Sequence, residues 1–308
     1  AGLASQPNQR VIRFLGHSTW IACVSSGIYR STDAGASYTQ VHSDALLGTS
    51  TCKAGPYLLY PGGVATLVVI GKQDASSNFR LYTSTDGVTW STLGPFSLFD
   101  FGSFTIQSVV KWRGSLYGIA ASVGSGGNQR TIIWNTTSAS VVLGPSLTAG
   151  ANTAYASLCV FEDRLFAVDL GAGSGSRTLW EFVGGSWTQR DAFQANTGQA
   201  PAADTKYTIF VDPAANEMVA IVQGPGINDW SCQSWNTSLV RTDRTVSTGV
   251  NTAFGAATTT TRVAALIDGQ KQTGSAPPIY LYHAANGSSG TPFNLYQWNG
   301  VSSPITSI

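Results

Sequence analysis

The stretches IYRSTDAGASYTQV (28–41) and LYTSTDGVTWSTL (81–93) write nearly the same phrase twice. They stand roughly fifty residues apart, a repeat length typical of stacked β units. Each runs aromatic-x-Ser-Thr-Asp, then Gly, then Ser or Thr, then an aromatic. An aspartate there can accept backbone N–H bonds across a tight turn, and a glycine allows positive φ. Asp33 and Asp86 are therefore read as turn-formers, with Gly35 and Gly87 at the bend. Ser31 and Ser84 supply a local hydroxyl, and Tyr38 and Trp90 pack over the turn.

Around these phrases the chain is built of short runs rich in Val, Ile, Tyr, Trp and Phe, broken by Gly, Asn, Asp and Pro. Helical periodicity is almost absent, so the fold is all-β. The runs fall into groups of four, the first being RVIRFLG, TWIACVSS, GIYRSTD and SYTQVH. Third strands are expected to begin near residues 28, 80, 131, 178 and 231, and at about 280 or 293. Four-stranded groups at this period predict a single six-bladed β-propeller of four-stranded antiparallel blades over 1–308. The blades are placed at 10–42, 57–94, 105–144, 154–192, 206–246 and 251–308. In the last, TAFGAATTT is read as the first strand and RVAALIDG as the second. Each group starts and ends in phase, so no strand exchange between first and last blades is expected.

The two phrases resemble Asp boxes, the repeats of sialidase-type (BNR) propellers. The first departs from that pattern by Tyr38 in place of Trp, and the second is one residue shorter. The resemblance implies a structural role for the boxes, away from the binding face. A sialidase would need a tyrosine nucleophile beside a glutamate, an aspartic acid/base and three arginines on the substrate carboxylate. The chain has three glutamates, Glu162, Glu181 and Glu217. The strand scheme puts Glu162 and Glu217 at short-turn ends and Glu181 on an outer strand. Arg13, in VIRF, is the one echo of the family's early arginine. The catalytic set is thus not expected, and no catalytic residue is assigned.

Composition narrows the function classes. Charged residues make up 11% of the chain and the formal net charge is +1. No global field draws in nucleic acid, and no apolar run is long enough to insert in a membrane. The neutral, Gly/Ser/Thr-rich surface suits an extracellular or virion-surface protein. No signal peptide opens the chain, and an Ala start fits either loss of an initiator Met or signal cleavage. His17, His42 and His283 are dispersed, and the four cysteines lack metal spacing, so neither metal nor cofactor is expected. Cys23 and Cys159 read as small buried residues. A Cys23–Cys52 bridge is the less favoured alternative. The sequons at Asn135, Asn236 and Asn286 read as chance in an Asn- and Thr-rich chain.

In a propeller, the turns after the first and third strands share one face. Here they are short, as in WRG, FEDR and TDG. The loops after second strands are long, among them 71–78, 123–130, 171–177, 224–230 and 268–278. Long loops on a rigid scaffold are where binding concentrates. The candidate binding residues on that face are Asp74, Phe99, Phe101, Arg130, Arg177, Asp229 and Trp230. Trp230, Phe99 and Phe101 are read as exposed aromatics for sugar stacking or protein docking. The leading expectation is a non-catalytic binding or structural module on a virion or cell exterior, with a protein assembly partner. A propeller lectin for a cell-surface glycan is the alternative.

Overall fold

A computed structural model describes residues 11–24, 26–43, 52–72, 78–97, 104–122, 129–144, 156–170, 176–194, 207–223, 230–250, 254, 262–267, 279–284 and 293–307. The chain divides into two compact units, 1–147 and 148–308, each carrying three four-stranded antiparallel sheets.

In the first unit, sheet one is β1 (Val11–Arg13), β2 (Trp20–Val24), β3 (Gly27–Ser31) and β4 (Thr39–His42). Sheet two is β5 (Cys52–Leu59), β6 (Thr66–Lys72), β7 (Asn78–Ser84) and β8 (Ser91–Ser97). Sheet three is β9 (Phe104–Trp112), β10 (Ser115–Ser122), β11 (Gln129–Trp134) and β12 (Ala139–Leu143). In the second unit, sheet four is β13 (Ala156–Phe161), β14 (Arg164–Leu170), β15 (Ser176–Val183) and β16 (Ser186–Gln194). Sheet five is β17 (Tyr207–Asp212), β18 (Glu217–Gln223), β19 (Trp230–Trp235) and β20 (Arg241–Asp243), followed by the one-turn helix α1 (Thr245–Thr248). Sheet six is β21 (Arg262–Ile267), β22 (Ile279–Ala284), β23 (Phe293–Trp298) and β24 (Thr306–Ser307). Every sheet uses four consecutive strands, so no strand is exchanged between the first and last.

Sheet six corrects the sequence reading by one strand. RVAALI is its first strand and IYLYHA its second. The segment that suggested an earlier strand contains Phe254, which is buried against Trp230 and Tyr296. Its apolar character serves side-chain packing, which a run of hydrophobic letters does not distinguish from a strand. Residues 268–278 therefore join first and second strands and leave the set of second-to-third loops.

In sheets two and five the middle strands are largely buried on both faces because each sheet is covered twice. Residues 67–71 of β6 and all of β19 are buried. Fourth strands are edges and carry polar, exposed residues, as in β20 and β8. Ile21, Cys23 and Ile28 of sheet one pack with Leu67, Val69 and Tyr82 of sheet two. The opposite face of sheet two packs on sheet three through Tyr57, Phe79, Ile132 and Trp134. In the second unit, Phe166 and Leu179 meet Met218 and Trp235, while Phe210 and Ile221 meet Leu281 and Trp298. Two indoles also donate from one sheet to the sheet before it. Trp235 Nε1 donates to Asp191 Oδ2 (2.9 Å), and Trp298 Nε1 to the buried Asp212 Oδ2 (3.0 Å).

Cys23 is disulfide-bonded, which corrects its reading as a plain buried residue. The side chain of Cys52 lies outside those described. Cys159 and Cys232 are free and buried.

The third-to-fourth turns share one device. Asp33 Oδ1 accepts from Ser37 N–H (2.9 Å) and the Ser31 hydroxyl (2.6 Å), while Ser31 Oγ accepts from Gly35 N–H (2.8 Å). Asp86 Oδ1 accepts from Val88 N–H (2.8 Å) and Thr89 N–H (2.7 Å), and Ser84 Oγ accepts from Gly87 N–H (2.8 Å). Two further sheets repeat this with a neutral side chain. Asn135 Oδ1 accepts from Thr137 and Ser138 N–H, and Asn236 Oδ1 from Ser238 and Val240 N–H. Trp-Asn at 134–135, 235–236 and 298–299 marks these strand ends, a repeat that the search for aspartate missed. In sheet four the Gly184–Gly185 pair, with φ of 60° and 88°, makes the turn through backbone freedom instead.

Gly87, at φ +72°, ties such a turn to the core. A Cβ there would stand 2.9 Å from Ile21 Cδ1 and 3.3 Å from Phe14 Cδ1. Gly87→Ala should therefore cost about 1–3 kcal/mol in urea unfolding, from backbone strain and overpacking together. A variant as stable as the parent would refute that account.

The acceptors in these turns also set a pH dependence. The Ser31 hydroxyl, then the Ser37 hydroxyl and N–H, hold Asp33 down at about 2; the Val88 and Thr89 N–H groups do the same for Asp86. Both folded values lie below the ordinary 3.8. Their contribution is thus present above that value and lost as pH falls towards 2. The urea midpoint should drop across this window, and less so in an Asp33→Asn/Asp86→Asn double variant. At pH 7, Asp86→Asn should keep the turn, because Asn135 and Asn236 do the same work, while Asp86→Ala should lower the midpoint.

Candidate functional site

The second-to-third loops that the sequence singles out lie mostly outside the described residues, and with them Asp74, Phe99, Phe101 and Asp229. The strand ends that carry those loops are described. Arg130 is the second residue of β11, half-buried, with its guanidinium donating back to Gln129 O (3.0 Å). Arg177 is the second residue of β15 and is fully buried, paired across the sheet with Leu170 and Phe193. It was singled out as a binding residue of the loop 171–177, but the strand starts at Ser176, two residues before the expected start near 178, and draws it inside.

Trp230 is corrected in the same way. It opens β19 at 0% exposure and meets Phe254 edge-on at 5.0 Å. Burial among Ile279, Leu281 and Tyr296 removes a large apolar area from water, which explains why this ring faces sheet six instead of solvent.

The third-strand starts carry polar groups inside the sheets, a feature that reading the loops did not find. In the first unit Gln129 and Thr131 are buried on β11. In the second, Arg177 and Thr178 are buried on β15, and Ser231 and Gln233 on β19. Ser231 Oγ has no hydrogen-bond partner among the described residues. The signal was present in RT, SRT and WSCQSW, where polar letters interrupt apolar strands. Buried polar groups cost free energy unless they are bonded, so their recurrence at third-strand starts is a feature of each sheet in its own right.

The three glutamates are committed elsewhere. Glu181, on the third strand of sheet four, accepts from Arg164 (2.7 and 2.9 Å) and Arg190 (2.6 Å). The Arg164 hydrogen bonds lead in holding its carboxyl below the usual range, and Arg190 adds to them. Glu217 accepts from Arg244 (2.9 and 3.2 Å), and Glu162 from Asn216 (2.9 Å). A glutamate clamped by two guanidiniums stays ionised and is a poor proton donor. Arg13 lies over the Trp20 ring at 5.8 Å. Burial pushes the Cys159 and Cys232 thiols up to about 12, far from nucleophilic thiolates. Among the described residues no three His, Cys, Asp or Glu side chains gather to hold a metal. No helix among them is long and apolar enough to cross a membrane.

No protein-family model matches the chain, and no curated protein matches it. Solved structures do. The SapL1 lectin, in complex with α-methyl fucoside, matches at a TM-score of 0.52 and 11% identity, covering 99% of this chain and 96% of its own. The fungal lectin of Aleuria aurantia, a six-bladed β-propeller with a fucose recognition mode of its own, matches at 0.52 and 12% identity over 97% and 93%. A Bacteroides uniformis protein provisionally assigned as a 6-phosphogluconolactonase matches at 0.57 and 13% identity over 96% and 82%. At such identities the likeness speaks for architecture. Six consecutive four-stranded sheets and these neighbours together make the fold that of a six-bladed β-propeller.

Proposed function

We propose that this protein is a glycan-binding propeller that works outside the cell or on a virion surface and carries out no catalysis. The observation that carries the reading is its likeness, over nearly the whole length, to two lectins that take fucose or a fucoside. Ser231, buried at the start of β19 with no hydrogen-bond partner among the described residues, is in keeping with it as a polar group next to a long loop. The commitment of Glu162, Glu181 and Glu217 to Asn216 and to arginines supports the non-catalytic part. The disulfide at Cys23 supports an oxidising location, where such bonds persist. The two Ser-Thr-Asp turns, with their hydroxyl and N–H bonds to one carboxylate, are read as Asp boxes serving architecture.

A second reading, docking to an assembly partner on a virion, draws on the turns of the first unit. Leu15 (64% exposed), Tyr60 (56%), Val64 (54%) and Val88 (48%) all present apolar surface there. Such residues suit a protein contact when they form one patch.

A glycan-array screen of the folded chain separates the two readings. Binding to a defined subset of glycans, competed away by the free sugar, is the expected result. A blank array would sink the glycan reading and turn the search to protein partners.

A further inference from the structure

The fourth strand of each sheet is an edge, and one row of its backbone N–H and C=O groups faces away from the sheet. Five of these edges carry a feature that discourages another strand from adding to them. The ladder of β4 shifts register beside Ile28. β8 contains Pro95 and a register shift. β16 shifts register at Arg190 and carries both Arg190 and Asp191. β20 has three residues, two of them Arg241 and Asp243. β24 has only two residues. Charge, proline, bulges and short length are the devices that keep sheet edges from joining.

β12, ASVVL at 139–143, is the exception. It holds no charge and no proline, and its register with β11 is unbroken from Trp134↔Ala139 to Arg130↔Leu143. Two bonds fix which way its backbone points. Asn135 N–H donates to Ser138 O (3.1 Å), and Gly144 N–H to Gln129 O (3.0 Å). Hydrogen-bonded pairs alternate along an antiparallel ladder, so Ser140 and Val142 turn their N–H and C=O towards β11. Ala139, Val141 and Leu143 turn theirs away from the sheet. Leu143 O also accepts from the Thr131 hydroxyl (3.4 Å) and keeps a second lone pair. No described strand pairs with that side of β12. Its side chains are apolar and open to solvent in part: Leu143 is 56% exposed, and Ala139 and Val141 are half-buried against the core between sheets two and three.

The outward set is symmetric about Val141. Two copies laid antiparallel pair Val141 with Val141, Ala139 with Leu143 and Ser140 with Val142, and their outward N–H and C=O groups exchange bonds. A two-fold contact of this kind uses the same surface on both partners. No like charges meet in it, and a formal net charge of +1 puts little repulsion between two chains. Self-pairing of β16 or β20 brings charged side chains into the contact instead. We propose that β12 is a dimer edge, through which two copies of this chain join antiparallel about Val141, so that the four strands of sheet three continue into the four of its partner. This goes beyond the glycan-binding reading and stands without it.

Sedimentation velocity of the folded chain between roughly 1 µM and 1 mM tests it. So short an edge buries little area, and the expected result is a weak monomer–dimer equilibrium within that range. Hydrogen exchange read on peptides spanning 139–143 should slow as the dimer forms, because the outward N–H groups become bonded. Ala139→Pro removes an outward N–H without breaking a bond to β11, and should weaken dimerisation by about ten-fold or more. Leu143→Lys gives the edge the charge it lacks and should do the same. Val246→Lys, at a 94% exposed position beside sheet five, should change nothing. Thermal melts by circular dichroism establish that each variant is folded. A chain that stays monomeric throughout overturns the proposal and leaves the edge to a strand of another protein. A dimer that both folded edge variants retain, or one without slowed exchange at 139–143, overturns it as well. Neither result bears on glycan binding.

Discussion

A four-stranded antiparallel sheet with apolar residues on both faces cannot stand in water by itself, and the rest of this structure follows from that. In sheets two and five the inner strands are largely buried on both sides, and each of these sheets has a neighbour on each face. The requirement explains why the same four-strand unit recurs and why polar letters gather on the fourth strands. It also explains the tryptophan ties of the second unit. Two of the indoles placed between sheets, Trp235 and Trp298, donate to Asp191 and Asp212 of the preceding sheet.

That constraint was legible in the sequence wherever its consequences are periodic. Five of the six sheets were readable as groups of four short runs, with third strands near their observed starts. The sixth was shifted by one strand because Phe254 and its neighbours looked like a strand. Phe254 instead supplies an aromatic that closes a cluster with Trp230 and Tyr296. Letters report hydrophobicity, but they do not say whether an apolar residue is part of a ladder or a plug beside it.

The candidate site was less legible, for a related reason. Trp230 reads the same whether it is an exposed platform or a core residue, and its fate depends on a strand beginning one position earlier or later. Arg177 was drawn inside by a similarly small shift in boundary. The polar third-strand starts were readable in principle, since Ser, Gln and Arg inside apolar runs are visible in the letters.

The turn after the third strand asks only for a side-chain oxygen at the right spacing, as Asp33, Asp86, Asn135 and Asn236 show. Charge is not part of the requirement, and in sheet four two glycines replace the side chain altogether. A repeat under so loose a demand can wander far in its letters while its shape stays fixed. Six copies drifting separately would lose any shared signature well before any one of them lost its turn. That gives a physical route to a chain whose architecture is plain in three dimensions at 11–13% identity, while no family model matches its sequence.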